Sequence, residues 1–291
     1  MRIILTFIIA IALFTLQNIS FKQFSSNFMK TKSSYFIFNA IYFTLICILF
    51  AFMGINASLF TFSIVWLGLL FGISFIAAIF FYMKAMENGP LGLSFLFFSA
   101  GILIPIIFGI VFYQEPAPPH KIFGLMLLFA AFFISTRGSE GGGKMSKKWA
   151  IFILLASFNN GLIGLAQKLF NNFAPPEAVN EFLFMSFGQA AVISLAIGLV
   201  LMFLYKESAG HFKSRAFAFV AIITAIVTCF GNYIMVVLTM QVSAIVQYPV
   251  VSGSLVITST LASWLVFKEK VTKKHIQAIA LGFAAIVMLS I

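Results

Sequence analysis

The segment Phe182–Tyr205, FLFMSFGQAAVISLAIGLVLMFLY, carries no charged residue between Glu181 and Lys206. About 20 apolar residues in a helix cross the hydrocarbon core of a bilayer. This segment is long enough to span with some tilt. A spanning helix also satisfies its own backbone hydrogen bonds, which lipid cannot do.

Outward from this segment, apolar runs bounded by charged or turn residues recur along the whole chain. They predict helices at 3–22, 35–54, 59–84, 91–113 and 121–137, then 149–170, 180–205, 215–239, 244–267 and 273–290. Breaks fall at Asn88-Gly89-Pro90, Glu115-Pro116-Ala117-Pro118-Pro119 and Pro175-Pro176. The fold class expected is an all-α integral membrane protein with ten transmembrane helices. Composition agrees: the chain is 62% hydrophobic and 9% charged, against about 25% charged in a soluble domain. In water such a chain would expose large apolar patches. Ten spans consume about 200 residues, and the remainder of a 291-residue chain leaves only short loops. Arg2 followed by apolar Ile3–Leu16 resembles a signal peptide, but Gln17-Asn18-Ile19-Ser20 supplies no small-residue cleavage site. The first helix is therefore expected to be retained, with cleavage as the alternative.

The most polar connector, Arg137 to Lys148, divides the chain into a five-helix half at 1–137, a linker at 138–148 and a second five-helix half at 149–291. The halves resemble each other. A shift of 154 residues lays 87–135 on 241–289 without a gap and puts Glu115 on Glu269, Phe129-Ala130-Ala131 on Phe283-Ala284-Ala285, Ile122 on Ile276 and Leu127 on Leu281. Lys22 pairs with Lys168 under a slightly different shift. An odd number of spans per half makes equivalent helices point in opposite directions. Two inverted five-helix repeats are therefore expected, a plan common among secondary transporters.

The formal net charge is +11. Fifteen of the eighteen Lys and Arg lie after the odd-numbered helices, and only Arg2, Lys121 and Lys168 lie on the other side. Membrane topology accounts for that pattern, so no nucleic-acid partner is expected. The positive-inside rule makes the basic side cytoplasmic and puts both termini outside. Cys47 and Cys229 sit alone in separate apolar runs and read as packing residues. The 39 Phe read as composition and lipid-facing surface, and the three Trp as interfacial or packing residues. The Gly138–Gly143 stretch lacks the Gly-Lys-Ser/Thr spacing of a phosphate loop and reads as a linker.

With two five-helix halves, a Lys closing the first helix of each, the turn Glu87-Asn88-Gly89-Pro90-Leu91, and the connectors Tyr113-Gln114-Glu115-Pro116 and Phe267-Lys268-Glu269-Lys270, the chain resembles the drug/metabolite transporter superfamily in its ten-helix EamA-type branch. The resemblance implies a basket of ten helices with a central cavity, working as an exporter or exchanger of metabolites. It also implies cytoplasmic termini, against the charge count, and both orientations stay open.

Ionisable groups inside a membrane are costly, so they are functional candidates by default. The chain has no Asp, and its seven Glu and three His fall in connectors or near helix ends. Converging acids, bases or metal ligands are not apparent at depth. The chain is accordingly not expected to be an enzyme, nor to carry a cofactor or a metal. Polar recognition falls to other residues. Asn160, Gly164, Gln167 and Lys168 share one face of the sixth helix, and Asn18 and Lys22 lie four apart on the first. If both lysines face a cavity, they favour an anionic or carboxylate-bearing substrate; otherwise each snorkels from a helix end to the headgroups or pairs with one of the connector carboxylates, Glu115 and Glu269. Gln247 and Tyr248, beside Pro249 in the ninth helix, are further candidates, with Ser94 opposite them in the repeat and Asn232 in the eighth helix. Each of these also suits kinking, close packing or an interhelical hydrogen bond. Glu115 and Glu269 are expected to cap the helices that follow them. The function expected is a secondary transporter, an exporter or exchanger of a small polar metabolite across the cell membrane by alternating access. A lipid or lipid-linked-sugar flippase and a non-transporting scaffold subunit are the alternatives. The partners expected are the bilayer and a small-molecule substrate, with a homodimer left open.

Overall fold

The computed structural model describes residues 2–88, 97–136, 147–207, 212, 214–267 and 273–290. Among them are ten α-helices: α1 (Arg2–Phe28), α2 (Ser34–Met53), α3 (Phe62–Asn88), α4 (Leu103–Phe112), α5 (Pro119–Thr136), α6 (Lys147–Phe173), α7 (Val179–Tyr205), α8 (Arg215–Gln241), α9 (Ala244–Phe267) and α10 (Lys273–Ser290). Short 3₁₀ turns at Ala57–Leu59, Ala100–Ile102 and Pro176–Ala178 punctuate the connections. Six helices are long and apolar enough to cross a membrane by length and composition, covering Ile3–Phe24, Ser34–Met53, Phe62–Ala85, Lys147–Phe173, Pro176–Tyr205 and Arg215–Gln241. Phe97–Phe112, Pro119–Ala131 and Ala280–Leu289 are shorter apolar helices. The protein is an all-α, multi-span membrane protein.

Three helices run well past the ends that the sequence suggests, among them α3, which continues from Lys84 to Asn88. α1 continues from Lys22 to Phe28 because Phe24 is buried and stacks on Phe38, ring centroids 3.8 Å apart. α6 continues to Phe173, which places Lys168 five residues inside its end. Tertiary burial outweighs the local polarity that would otherwise close each helix.

The chain forms two compact units. The first comprises Met1–Ile76 and Leu169–Met240, the second Ala77–Lys168 and Gln241–Ile291. In the first unit α2 packs along α7 in antiparallel sense. Glu181 at the start of α7 accepts the Asn56 N–H just past the end of α2 at 2.7 Å, and Asn180 donates to the Gly54 carbonyl at 3.1 Å. At the other end, Glu207 just past α7 accepts the Lys32 and Ser33 N–H groups ahead of α2, at 2.9 and 3.0 Å. Lys206 adopts a left-handed conformation (φ 51°), with its own N–H on Phe203 O and that of Glu207 on Met202 O, a Schellman stop that aims Glu207 at α2. Between the ends, phenylalanine fills the core. Phe43, Phe71, Phe75 and Phe187 meet at centroid distances of 5.5–5.8 Å, mostly edge to face. Many of the 39 Phe are thus core rather than lipid-facing surface. α3 approaches α7 through Gly68 and Gly72, where a Cβ on Gly72 would lie 2.6 Å from the Ser186 carbonyl oxygen. Small residues of this kind let membrane helices meet backbone to backbone.

Glu207 provides a pH test. Partial desolvation raises its pKa, but hydrogen bonds from Ser33, Lys32 and Thr31 outweigh it and hold the carboxyl below its usual value. A carboxyl lowered in the folded state stabilises above its unfolded pKa of about 4.3, and that contribution disappears as pH falls through the folded value. Glu207→Gln is expected to flatten the loss of melting temperature between about pH 5 and 3. A pH series of thermal unfolding on both proteins checks it.

In the second unit α10 packs on α5 and on α9. α5 and α10 also run antiparallel: Gly124, near the start of α5, faces Met288 and Leu289 at the end of α10, and Leu128 packs on Ala285. Trp149 is buried against Ala85, Ile153 and Ala156, a packing role rather than an interfacial one. α4 and the preceding turn cross α6 at Gly101 and Gly161, where backbone meets backbone.

Candidate functional site

The polar node of the second unit gathers around Glu115, in the connector between α4 and α5. α4 ends in a sharp reversal. Gln114 takes a left-handed conformation (φ 52°), and the N–H groups of Tyr113 and Glu115 both donate to the Gly109 carbonyl at 3.1 Å. The reversal turns the Glu115 carboxylate back over α4. There Gly109 leaves room for it: a Cβ at 109 would lie 2.8 Å from Oε2. Oε1 accepts from the Lys168 ammonium on α6, and Oε2 accepts from the Ala244 N–H, the first residue of α9, at 2.7 Å. The Tyr113 ring centroid stands 5.5 Å from Lys168 Nζ, within cation–π range. Only 9% of the Lys168 side chain and 11% of the Glu115 side chain are exposed. A buried ion pair of this kind costs desolvation and offsets it by close pairing and further hydrogen bonds. The added bond here comes from a helix N-terminus, whose partial positive charge complements the carboxylate.

One turn before Lys168 on α6, Gly164 meets α9. Its carbonyl accepts from the Tyr248 hydroxyl at 2.7 Å, and a Cβ at 164 would lie 3.2 Å from the Tyr248 ring and 2.9 Å from Pro105. Lys168, Tyr248 and Glu115 therefore share one node, with Gly164 and Gly109 as the bare surfaces that let it close. Lys168 does not snorkel from a helix end, since it lies inside α6 and is ion-paired. Glu115 caps a helix as the sequence suggests, but it is α9 rather than the following α5.

The other candidates lie elsewhere. Asn160 is half-buried and donates to the Phe98 carbonyl at 3.1 Å, an interhelical bond beside the Gly101–Gly161 crossing. Gln167 and Gln247 are buried in the second unit. Asn232, in the first unit, donates to the Thr228 carbonyl one turn back on its own helix at 2.9 Å. Asn18 is exposed and Lys22 half-buried on α1. Ser94 and Glu269 lie outside the described residues. Gln17 and Glu181 are among the buried polar groups that a reading based on helix position passes over. Gln17 donates to the Thr228 hydroxyl at 2.6 Å. Glu181 is 2% exposed although it stands in the first turn of α7. Among the described residues no group of three or more His, Cys, Asp or Glu suits a metal ion.

No curated protein matches the sequence. A solved structure, described only as the crystal structure of a protein, is similar with a TM-score of 0.75 over 98% of this chain and 94% of that chain, at 16% identity. That likeness speaks for the fold alone. Residues 147–291 match the model of the EamA-like transporter family. The chain is thus a multi-span membrane protein with an EamA-like domain over 147–291, consistent with a membrane transporter of small molecules.

Proposed function

We propose that the chain is a secondary transporter that moves a small polar metabolite, carboxylate-bearing or otherwise anionic, across the cell membrane. It works by alternating access between two inverted repeats, 1–137 and 149–291, joined by the linker 138–148. The observation that carries this reading is the antiparallel packing of α2 on α7 and of α5 on α10. Each pair joins a helix to its counterpart five helices later. Counterparts of an inverted repeat must point oppositely, whereas those of a parallel repeat would not. The EamA-like match over 147–291 supports transport as the class of activity, and the paired Lys168 supports an anion.

The test is uptake into proteoliposomes against a panel of metabolites, with folding established independently. Saturable uptake of at least one carboxylate is expected, together with counterflow when the same compound is loaded inside. Absence of saturable uptake across a broad panel by folded protein overturns the reading.

A further inference from the structure

Lys168 imposes a constraint on any moving part around it. A buried ammonium without a counter-ion costs several kcal/mol, so a lysine that stays both buried and charged keeps an anion beside it. In this structure the anion is the Glu115 carboxylate, held by the Lys168 ammonium, the Ala244 N–H at the head of α9 and the bare surface of Gly109. A fixed positive charge, a helix N-terminal amide and a floor without Cβ are the parts of a carboxylate receptor. The occupant belongs to neither helix. It is carried on the connector of residues 113–118, which reverses at Gln114 and reads Tyr-Gln-Glu-Pro-Ala-Pro. Among the described residues its backbone hydrogen bonds run to Gly109 of α4 and from Lys121 and Ile122 of α5, and none to α6 or α9, so its withdrawal leaves those two helices wound.

We propose that this cradle is a carboxylate-binding site occupied here by the chain's own Glu115, and that the carboxylate of the transported anion takes the place of Glu115 during the cycle. Two carboxylates cannot share the cradle, because like charges at that separation repel strongly. Binding is therefore an exchange, and Lys168 passes from one counter-ion to the other without being bared. The exchange step rests on the transporter reading above; the receptor does not.

Chemical rescue tests it on the full-length protein in detergent. Glu115→Ala removes the resident carboxylate and opens the cradle. Acetate should raise its melting temperature by about 3 °C or more at concentrations well above Kd, while acetamide, the neutral isostere, should not. Wild type and the double variant Glu115→Ala/Lys168→Met should respond to neither. If Glu115→Ala does not fold, Glu115→Ser also leaves the cradle open and takes the same titration against Glu115→Ser/Lys168→Met. Equal responses to acetate and acetamide, or an acetate response that survives loss of Lys168, overturn the receptor. An acetate response in the variant without carboxylate uptake by wild type leaves the receptor standing and overturns the exchange. Carboxylate uptake by wild type without acetate rescue leaves transport standing and overturns the cradle.

Discussion

Lys168→Met is expected to lower stability by about 3 kcal/mol or more, because it strips the counter-ion from a carboxylate that is almost wholly buried. Of the two groups that hold Glu115, only the Ala244 N–H remains in that variant. One amide stabilises a charge far less than an ammonium does. Glu115→Gln alone is expected to cost a comparable amount by baring Lys168. The double variant Glu115→Gln/Lys168→Met carries no buried charge at the node, so most of the loss should be recovered. The coupling measured in the cycle should therefore be strongly favourable, on the order of 2 kcal/mol. Reversible unfolding in mixed micelles checks it. Additive losses would mean that the two side chains act independently, against the geometry observed. On the transport proposal, the double variant should regain stability and still take up carboxylates at least about tenfold more slowly than wild type.

Gly101→Ala should also be strongly destabilising, although it adds a single methyl group. A Cβ at 101 would lie 2.3 Å from the Ser157 carbonyl oxygen and 3.0 Å from the Gly161 amide nitrogen. Both are backbone atoms, which no rotamer change can move. The facing change, Gly161→Ala, meets the Gly101 carbonyl oxygen at 2.6 Å and the Ile104 side chain at 2.4 Å. Either methyl must push α6 from the turn that leads into α4, and overpacking of this kind costs about 1–3 kcal/mol. The Asn160 bond to Phe98 O crosses the same contact and would lengthen with it. Once one methyl has opened the crossing, the second costs less, so the double variant should fall short of the sum. Gly188→Ala is the control. Its Cβ would meet only the Cys47 sulfur at 3.7 Å, so the gain in helix propensity, up to about 1 kcal/mol, should leave stability equal or higher. Thermal unfolding of the four variants under one condition decides the order.

The helices themselves were legible because a bilayer imposes a local rule on the sequence. Each span must supply its own apolar length, and polar residues gather where it ends. The breaks at Pro175-Pro176 and Glu115–Pro118 accordingly fall between observed α-helices. Of the polar face expected on α6, Gly164 and Lys168 lie toward one node, whereas Asn160 bonds Phe98 at the Gly101–Gly161 crossing. Two kinds of residue misled. Lys22 and Lys168 look like helix ends because they are charged, yet α1 and α6 both run on. Glu115 and Glu181 look peripheral because they stand at connectors and first turns, yet Glu181 is buried and the Glu115 side chain is only 11% exposed.

The sequence by itself determined that the chain lies in a membrane, where most of its helices begin and stop, and which few polar residues are available to it. These follow from hydrophobic length and backbone satisfaction, which act within one segment. Only the tertiary structure decided which anion neutralises Lys168, which helix Glu115 caps and which glycines let backbones touch. Glu115 is 53 residues from Lys168 and 129 from Ala244 along the chain. The charge on a side chain is written locally, but its counter-ion is chosen by whatever the fold brings within hydrogen-bonding distance.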